Sequence, residues 1–194
     1  MDDDDRWLDR WLPLLAERAQ GRPLLELGCG TGRDTGALLR AGHRVVALDR
    51  SRASLVLARI AAPAARLVRQ DVREPWPPCE GGYGAVIASL SLHYFDWATT
   101  EGLIARVSGA LGAGGIFICR LNSSRDHHFG ARGHPLIEPN FFDVNGEPKR
   151  FFDRADVDRL FARRWRMVSA DESVIDRYLA PKAAWELVLE PAPT

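Results

Sequence analysis

The sequence predicts a doubly wound α/β fold, on three observations. From Pro23 onward short apolar runs alternate with helical stretches; the runs LLEL, VVAL, AVIA and IFIC lack the polar alternation of a half-exposed sheet; and a glycine-rich turn follows the first of them. Strands of that kind are covered on both faces, as in a parallel sheet wrapped by helices. The 194 residues fit one domain, and 46% hydrophobic with 27% charged residues supplies a sizeable core.

Along the chain, Trp7, Leu8, Trp11, Leu12 and Leu15 recur at spacings of three and four, which predicts an amphipathic helix over residues 5–20, interrupted or kinked at Pro13. The acidic run Asp2 to Asp5 ahead of it either meets the positive end of the helix dipole or forms a solvated tail. Trp7 and Trp11, one turn apart, read as core packing or as part of a lid. Strands are predicted at 24–27, 44–48, 65–69, 83–88 and 115–121, with helices at 33–41, 52–61 and 99–111 between them. Residues 122–149 show no periodicity and are rich in glycine and proline; Phe129, Phe141 and Phe142 make this stretch an ordered lid or pocket wall. A helix over 153–162 and strands at 165–173 and 184–189 complete the chain.

Charge and cysteine content narrow the function. With 26 basic against 26 acidic side chains the net charge is zero, which argues against nucleic-acid binding as the main task. Cys29, Cys79 and Cys119 are odd in number and never paired as CxxC, so neither zinc nor a disulfide framework is expected. Asp126, His127, His128 and His134 are metal-ligating types, but adjacent histidines point apart in an extended chain; no metal is expected. No apolar run approaches about 18 residues and the start, MDDDDR, is acidic, so a cytoplasmic protein without a membrane segment is expected.

The chemistry concentrates in LLELGCGTGRDTGALL, residues 24–39. Glycines between a strand and a helix let the backbone turn sharply and approach a ligand, and the new helix offers free N–H groups. A nucleotide-like ligand at the carboxyl end of the first strand follows. Dinucleotide sites use GxGxxG, whose third glycine is Arg33 here; the pattern present is ExGxGxG, Glu26 to Gly32. Asp49 ends the next strand twenty-one residues after Gly28, where a carboxylate can accept both hydroxyls of a ribose.

These residues resemble motif I and the acidic strand end of the class I S-adenosylmethionine-dependent methyltransferases. The likeness continues through RQDVREPWP and YGAVIASLSLHYFDW to ALGAGGIFICRLNS. It implies a Rossmann-like seven-stranded sheet, mostly parallel, with an antiparallel C-terminal hairpin strand, and a single domain over 1–194 in which 1–21 is a helical lid and 122–150 an acceptor-side insert. S-adenosylmethionine would be held by Glu26, Gly28, Cys29, Gly30, Gly32, Asp49, Arg50, Asp71, Val72 and Ser89. The acceptor, a small molecule, would meet Tyr94, Arg120, Asn122 and Arg150, with His93 as candidate general base. Where enzymes of this kind that act on nucleic-acid amino groups carry (Asp/Asn/Ser)-Pro-Pro-aromatic, this chain has Ser89-Leu90-Ser91-Leu92. Three other readings compete: an NAD-dependent oxidoreductase, a non-catalytic binder of the same cofactor, and a methyltransferase of protein or RNA.

Overall fold

The computed structural model describes residues 6–175 and 180–193. A 3-10 turn, Asp9–Trp11, leads into helix α1, Leu12–Ala19. Pro13 does not kink a longer helix, as its position suggested: it stands in the first turn of α1, where its missing N–H has no intrahelical partner to lose. The acidic run Asp2 to Asp5 lies outside the described residues.

There follow β1 (Leu24–Leu27), α2 (Arg33–Arg40), β2 (Val45–Asp49), α3 (Arg52–Ala61), β3 (Arg66–Arg69), β4 (Tyr83–Ser89), α4 (Trp97–Ala110) and β5 (Leu111–Asn122). Then come three short strands, β6 (Leu136–Glu138), β7 (Phe141–Val144) and β8 (Glu147–Arg150), and finally α5 (Arg154–Phe161), β9 (Trp165–Ile175) and β10 (Lys182–Pro191). The main sheet runs β3-β2-β1-β4-β5-β10-β9. The first five strands are parallel, and β10 is inserted antiparallel to both β5 and β9.

Side chains alternate strictly between two cores. Leu25, Leu27, Val46, Leu48, Val86, Phe117 and Cys119 face one side, where α4 and α5 contribute Leu103, Val107, Val157 and Phe161. Leu24, Val45, Ala47, Ala85, Ile87, Ile116 and Ile118 face the other, packed by Leu15 and Leu38 of α1 and α2. Burial on both faces is why these strands read as unbroken apolar runs. Three helix starts are fixed by side chains accepting from the first-turn backbone: Ser51 from Ser54 N–H, Asp96 from Thr99 N–H, and Asp153 in a reciprocal capping box with Asp156.

The stretch 122–150, expected to be ordered but without regular elements, holds three short strands. β6, β7 and β8 form a separate antiparallel sheet. Asn145 and Gly146, both at positive φ (57° and 88°), make its second turn, the Asn-Gly signal of a tight hairpin. Strands of three or four residues are too short to show a period.

Candidate active site

The strand order reverses between β1 and β4, and at such a switch point the loops leaving the carboxyl ends diverge and open a crevice. A cavity of about 730 Å³ lies there, within the range of about 300–1,000 Å³ usual for small-molecule sites. Its lining runs from the β1–α2 turn past the ends of β2 and β4 to the β8 strand and the start of β10.

The turn after β1 is shaped largely by the protein's own close contacts. Ser91, in the loop after β4, donates to the Leu27 carbonyl at 2.6 Å, and a Cβ on Gly28 would lie 2.5 Å from the Ser91 Cβ. Gly32, which the sequence reading assigned to cofactor binding, is absent from the cavity lining: a Cβ there would meet the Ala58 Cα at 2.8 Å, so this glycine serves the packing of α2 against α3. Gly30 differs, having no atom within 4 Å of where a Cβ would stand, and its N–H donates to Asp49 at 2.8 Å. The other Asp49 oxygen accepts from Ser51 N–H at 2.8 Å. Each carboxylate oxygen keeps a lone pair for a further donor.

Glu26, Gly28, Cys29, Gly30, Asp49, Arg50, Asp71, Val72 and Ser89 all line the cavity. Glu26 is buried in the centre of the sheet between Ala47 and Ile87 and accepts from the Thr35 hydroxyl at 2.5 Å. Burial, then the charges of Asp34 and Asp49, push its carboxyl up to about 8. Burial likewise pushes the Cys29 thiol far up, which removes it as a nucleophile. Asp71 is gripped bidentately by Arg73, at 2.9 and 2.8 Å, and this guanidinium holds its carboxyl down to about 2.

The acceptor-side expectations divide. His93, Tyr94 and Asn122 line the cavity; Arg120 and Arg150 do not. Arg150 is buried and consumed by the fold: it pairs with Glu138, donates to the Phe95 and Pro139 carbonyls, and lies over the Phe141 ring. Arg120 is buried too, donating to Ser89 Oγ at 2.8 Å beneath the Trp7 ring. Neither guanidinium lines the cavity, and each meets groups of neighbouring elements. His93 is buried with its Nδ1 lacking a hydrogen-bond partner. Burial, helped by Lys182 and Lys149, holds its imidazole well below the ordinary value, so it is neutral. Leu90, just before this loop, takes a positive φ of 52°.

Trp7 is packed in the core of the α1 face, and its indole donates to Asp34 at 3.0 Å. Trp11 donates to Glu186 at 2.6 Å. Asp126 holds Lys182 at 2.9 Å, and among the described residues no group of three or more His, Cys, Asp or Glu is placed to bind a metal ion. Among the cavity residues that sequence reasoning missed are four charged ones, Asp34, Arg73, Lys149 and Lys182. For the lysines a signal existed. Of the 26 basic side chains only these two are lysine.

The glycine turn, the acidic end of β2 and the strands that meet at the switch point fall within residues 24–115, just under half of the chain, and these match a known family model. The family model that matches those residues is described as a methyltransferase domain. An uncharacterised methyltransferase of Synechocystis is 38% identical over 97 residues, covering 50% of this chain and 45% of that one. The match thus spans less than half that relative's length. A solved protein from Pyrococcus horikoshii superposes with a TM-score of 0.74 at 18% identity, over 99% of this chain and 94% of its own. The 1,6-didemethyltoxoflavin-N1-methyltransferase of Burkholderia thailandensis, solved with 1,6-didemethyltoxoflavin and S-adenosylhomocysteine, gives 0.68 at 23% identity, over 99% and 83%. At these identities the solved structures speak for the fold.

Proposed function

We propose that this chain, as one domain, transfers the methyl group of S-adenosylmethionine to a small-molecule acceptor. The observation that carries the reading is the placement of Asp49, Glu26 and the open face above Gly30 around one cavity whose far end is formed by His93, Tyr94 and Asn122. The donor set fits the cofactor. Asp49 has lone pairs for a vicinal diol, Val72 offers an apolar face and Asp71 an acceptor to an adenine, and Glu26 stands toward the amino-acid end. When bound, the cofactor supplies a methyl carbon activated by its sulfonium, open to in-line attack by the acceptor's lone pair.

The protein's own contribution is alignment and exclusion of water. Tyr94 and Phe95 close one wall, and Ser89 is held at the end of β4 by Arg120. His93, neutral and with a vacant Nδ1 valence, is suited to take a hydrogen bond from the acceptor, or its proton. In this reading the N-terminal segment, tied by Trp7 to Asp34 of the cavity wall, serves as lid, and the stretch 122–150, which lends Asn122, Phe129, Glu147, Pro148 and Lys149 to the lining, serves as acceptor-side wall. Among the described residues no helix is long and apolar enough to cross a membrane; the cytoplasm is the proposed setting.

Calorimetric titration with S-adenosylhomocysteine, beside NAD and beside Asp49→Ala, tests the reading. Saturable binding of S-adenosylhomocysteine, none of NAD, and a loss of at least about tenfold in the variant are expected, since two charge-assisted hydrogen bonds go with the carboxylate. Absent binding, or binding of NAD alone, overturns it.

A further inference from the structure

The end of the cavity away from Asp49 has a chemistry of its own. Lys149, on β8, and Lys182, opening β10, are the chain's two lysines, and both line it. The other 24 cationic side chains are arginine. An ammonium differs from a guanidinium in being a compact point charge on a flexible stem, with three donors that can be aimed anywhere. Lys182 is buried, paired with Asp126 at 2.9 Å and standing over the Phe129 ring at 4.8 Å. Lys149 is more open: its ion-pair contact among the described residues is Glu147, 3.9 Å away, beyond the roughly 2.7–2.9 Å of a charge-assisted hydrogen bond. Both ammonium groups act on His93.

Two more polar groups share this wall. Nδ1 of His93 and Oδ1 of Asn122 are buried without a hydrogen-bond partner, on residues 4% and 1% exposed that both line the cavity. Buried polar atoms in folded proteins are nearly always satisfied, so a pair left open in a ligand cavity points to donors supplied by the ligand. Tyr94 and Phe129 offer ring faces beside them.

Building on the methyltransferase reading, we infer that the acceptor is a small organic acid: its carboxylate is bound by Lys149 with Lys182 behind it, and a hydroxyl or N–H on the same molecule donates to His93 and Asn122. The paired requirement is what separates this from a generic cation patch. A neutral analogue loses the lysine contact, and an acid without a donor leaves the two buried atoms open. A cationic amine is repelled.

The test is calorimetry with para-hydroxybenzoate, para-hydroxybenzamide and benzoate, on the full chain with and without saturating S-adenosylhomocysteine. Para-hydroxybenzoate is expected to bind saturably and the amide at least about tenfold more weakly, as befits loss of a hydrogen-bonded charge. Benzoate should fall between them. Lys149→Gln should weaken the acid about fivefold and Lys149→Arg restore it only in part, with the affinity for S-adenosylhomocysteine unchanged. Equal binding of acid and amide, insensitivity to Lys149→Gln, or failure of both acids to bind at millimolar concentration overturns the inference. Failure of S-adenosylhomocysteine to bind sinks the cofactor reading instead, and the titrations without it still decide the anion site.

Discussion

Glu26 shows how one residue in a strand can couple stability to pH. Its folded carboxyl keeps a proton up to about pH 8, through burial and then the charges of Asp34 and Asp49, whereas the unfolded one releases it near the ordinary value of 4.5. Between those values the folded state binds more protons, so stability falls as pH rises through the window. Glu26→Gln keeps an acceptor for Thr35 without the charge. The melting temperature of the ligand-free variant should therefore match wild type near pH 5, exceed it increasingly up to about pH 8 and by a steady margin beyond, read by differential scanning calorimetry. A constant difference across that range would contradict the assignment. Asp49, by contrast, has its oxygens on the cavity and two backbone N–H groups; its replacement should cost ligand affinity first.

At the scale of elements, caps and pins decide what packs where. The Asp153 capping box opens α5, and Asp156 also accepts from Asn140 at 2.7 Å, which joins that helix to the turn between β6 and β7. Asp153→Ala should cost about 1 kcal/mol in urea denaturation, the usual worth of such a cap. Arg150 performs the larger service for the same region, because one guanidinium meets Glu138, Phe95 O, Pro139 O and the Phe141 ring. Arg150→Met should destabilise by about 1–3 kcal/mol, leaving buried acceptors unpaired. The variant that remains folded should still bind S-adenosylhomocysteine with wild-type affinity; a selective loss of acceptor binding without a stability change would restore the substrate role.

For the molecule as a whole, the sheet works as a wall between two cores. Phe117 lies at the centre of one, fully buried on β5, with ring centroids 5.6 Å from Trp165 and 6.4 Å from Phe161. Its contacts reach the helix and strand that follow the 122–150 stretch, so its removal is felt across the C-terminal half. Phe117→Ala should lower unfolding free energy by about 3–5 kcal/mol, the range for a large aromatic truncated in a tight core. Tryptophan fluorescence and far-ultraviolet circular dichroism should report one shared transition if the two cores unfold together. Separate transitions would make the antiparallel end of the sheet an independent unit.

The parallel half of the fold was legible because each strand is buried on both faces and each helix shows one apolar stripe; LLEL, VVAL, AVIA and IFIC state their location by composition alone. The glycine turn and Asp49 were legible for a local reason, since their spacing along the chain places them at adjacent strand ends. The β6–β8 sheet was not, because strands of three or four residues carry no period, although Asn145-Gly146 marked one turn. Only the tertiary structure decided which polar residues face the cavity. Arg120 and Arg150 were drawn inward by Ser89, Trp7, Glu138 and Phe141, while Lys149 and Lys182, far apart in sequence, were brought to one wall. A charged side chain goes where its hydrogen bonds are satisfied, and those partners come from other strands and helices, which local sequence does not see.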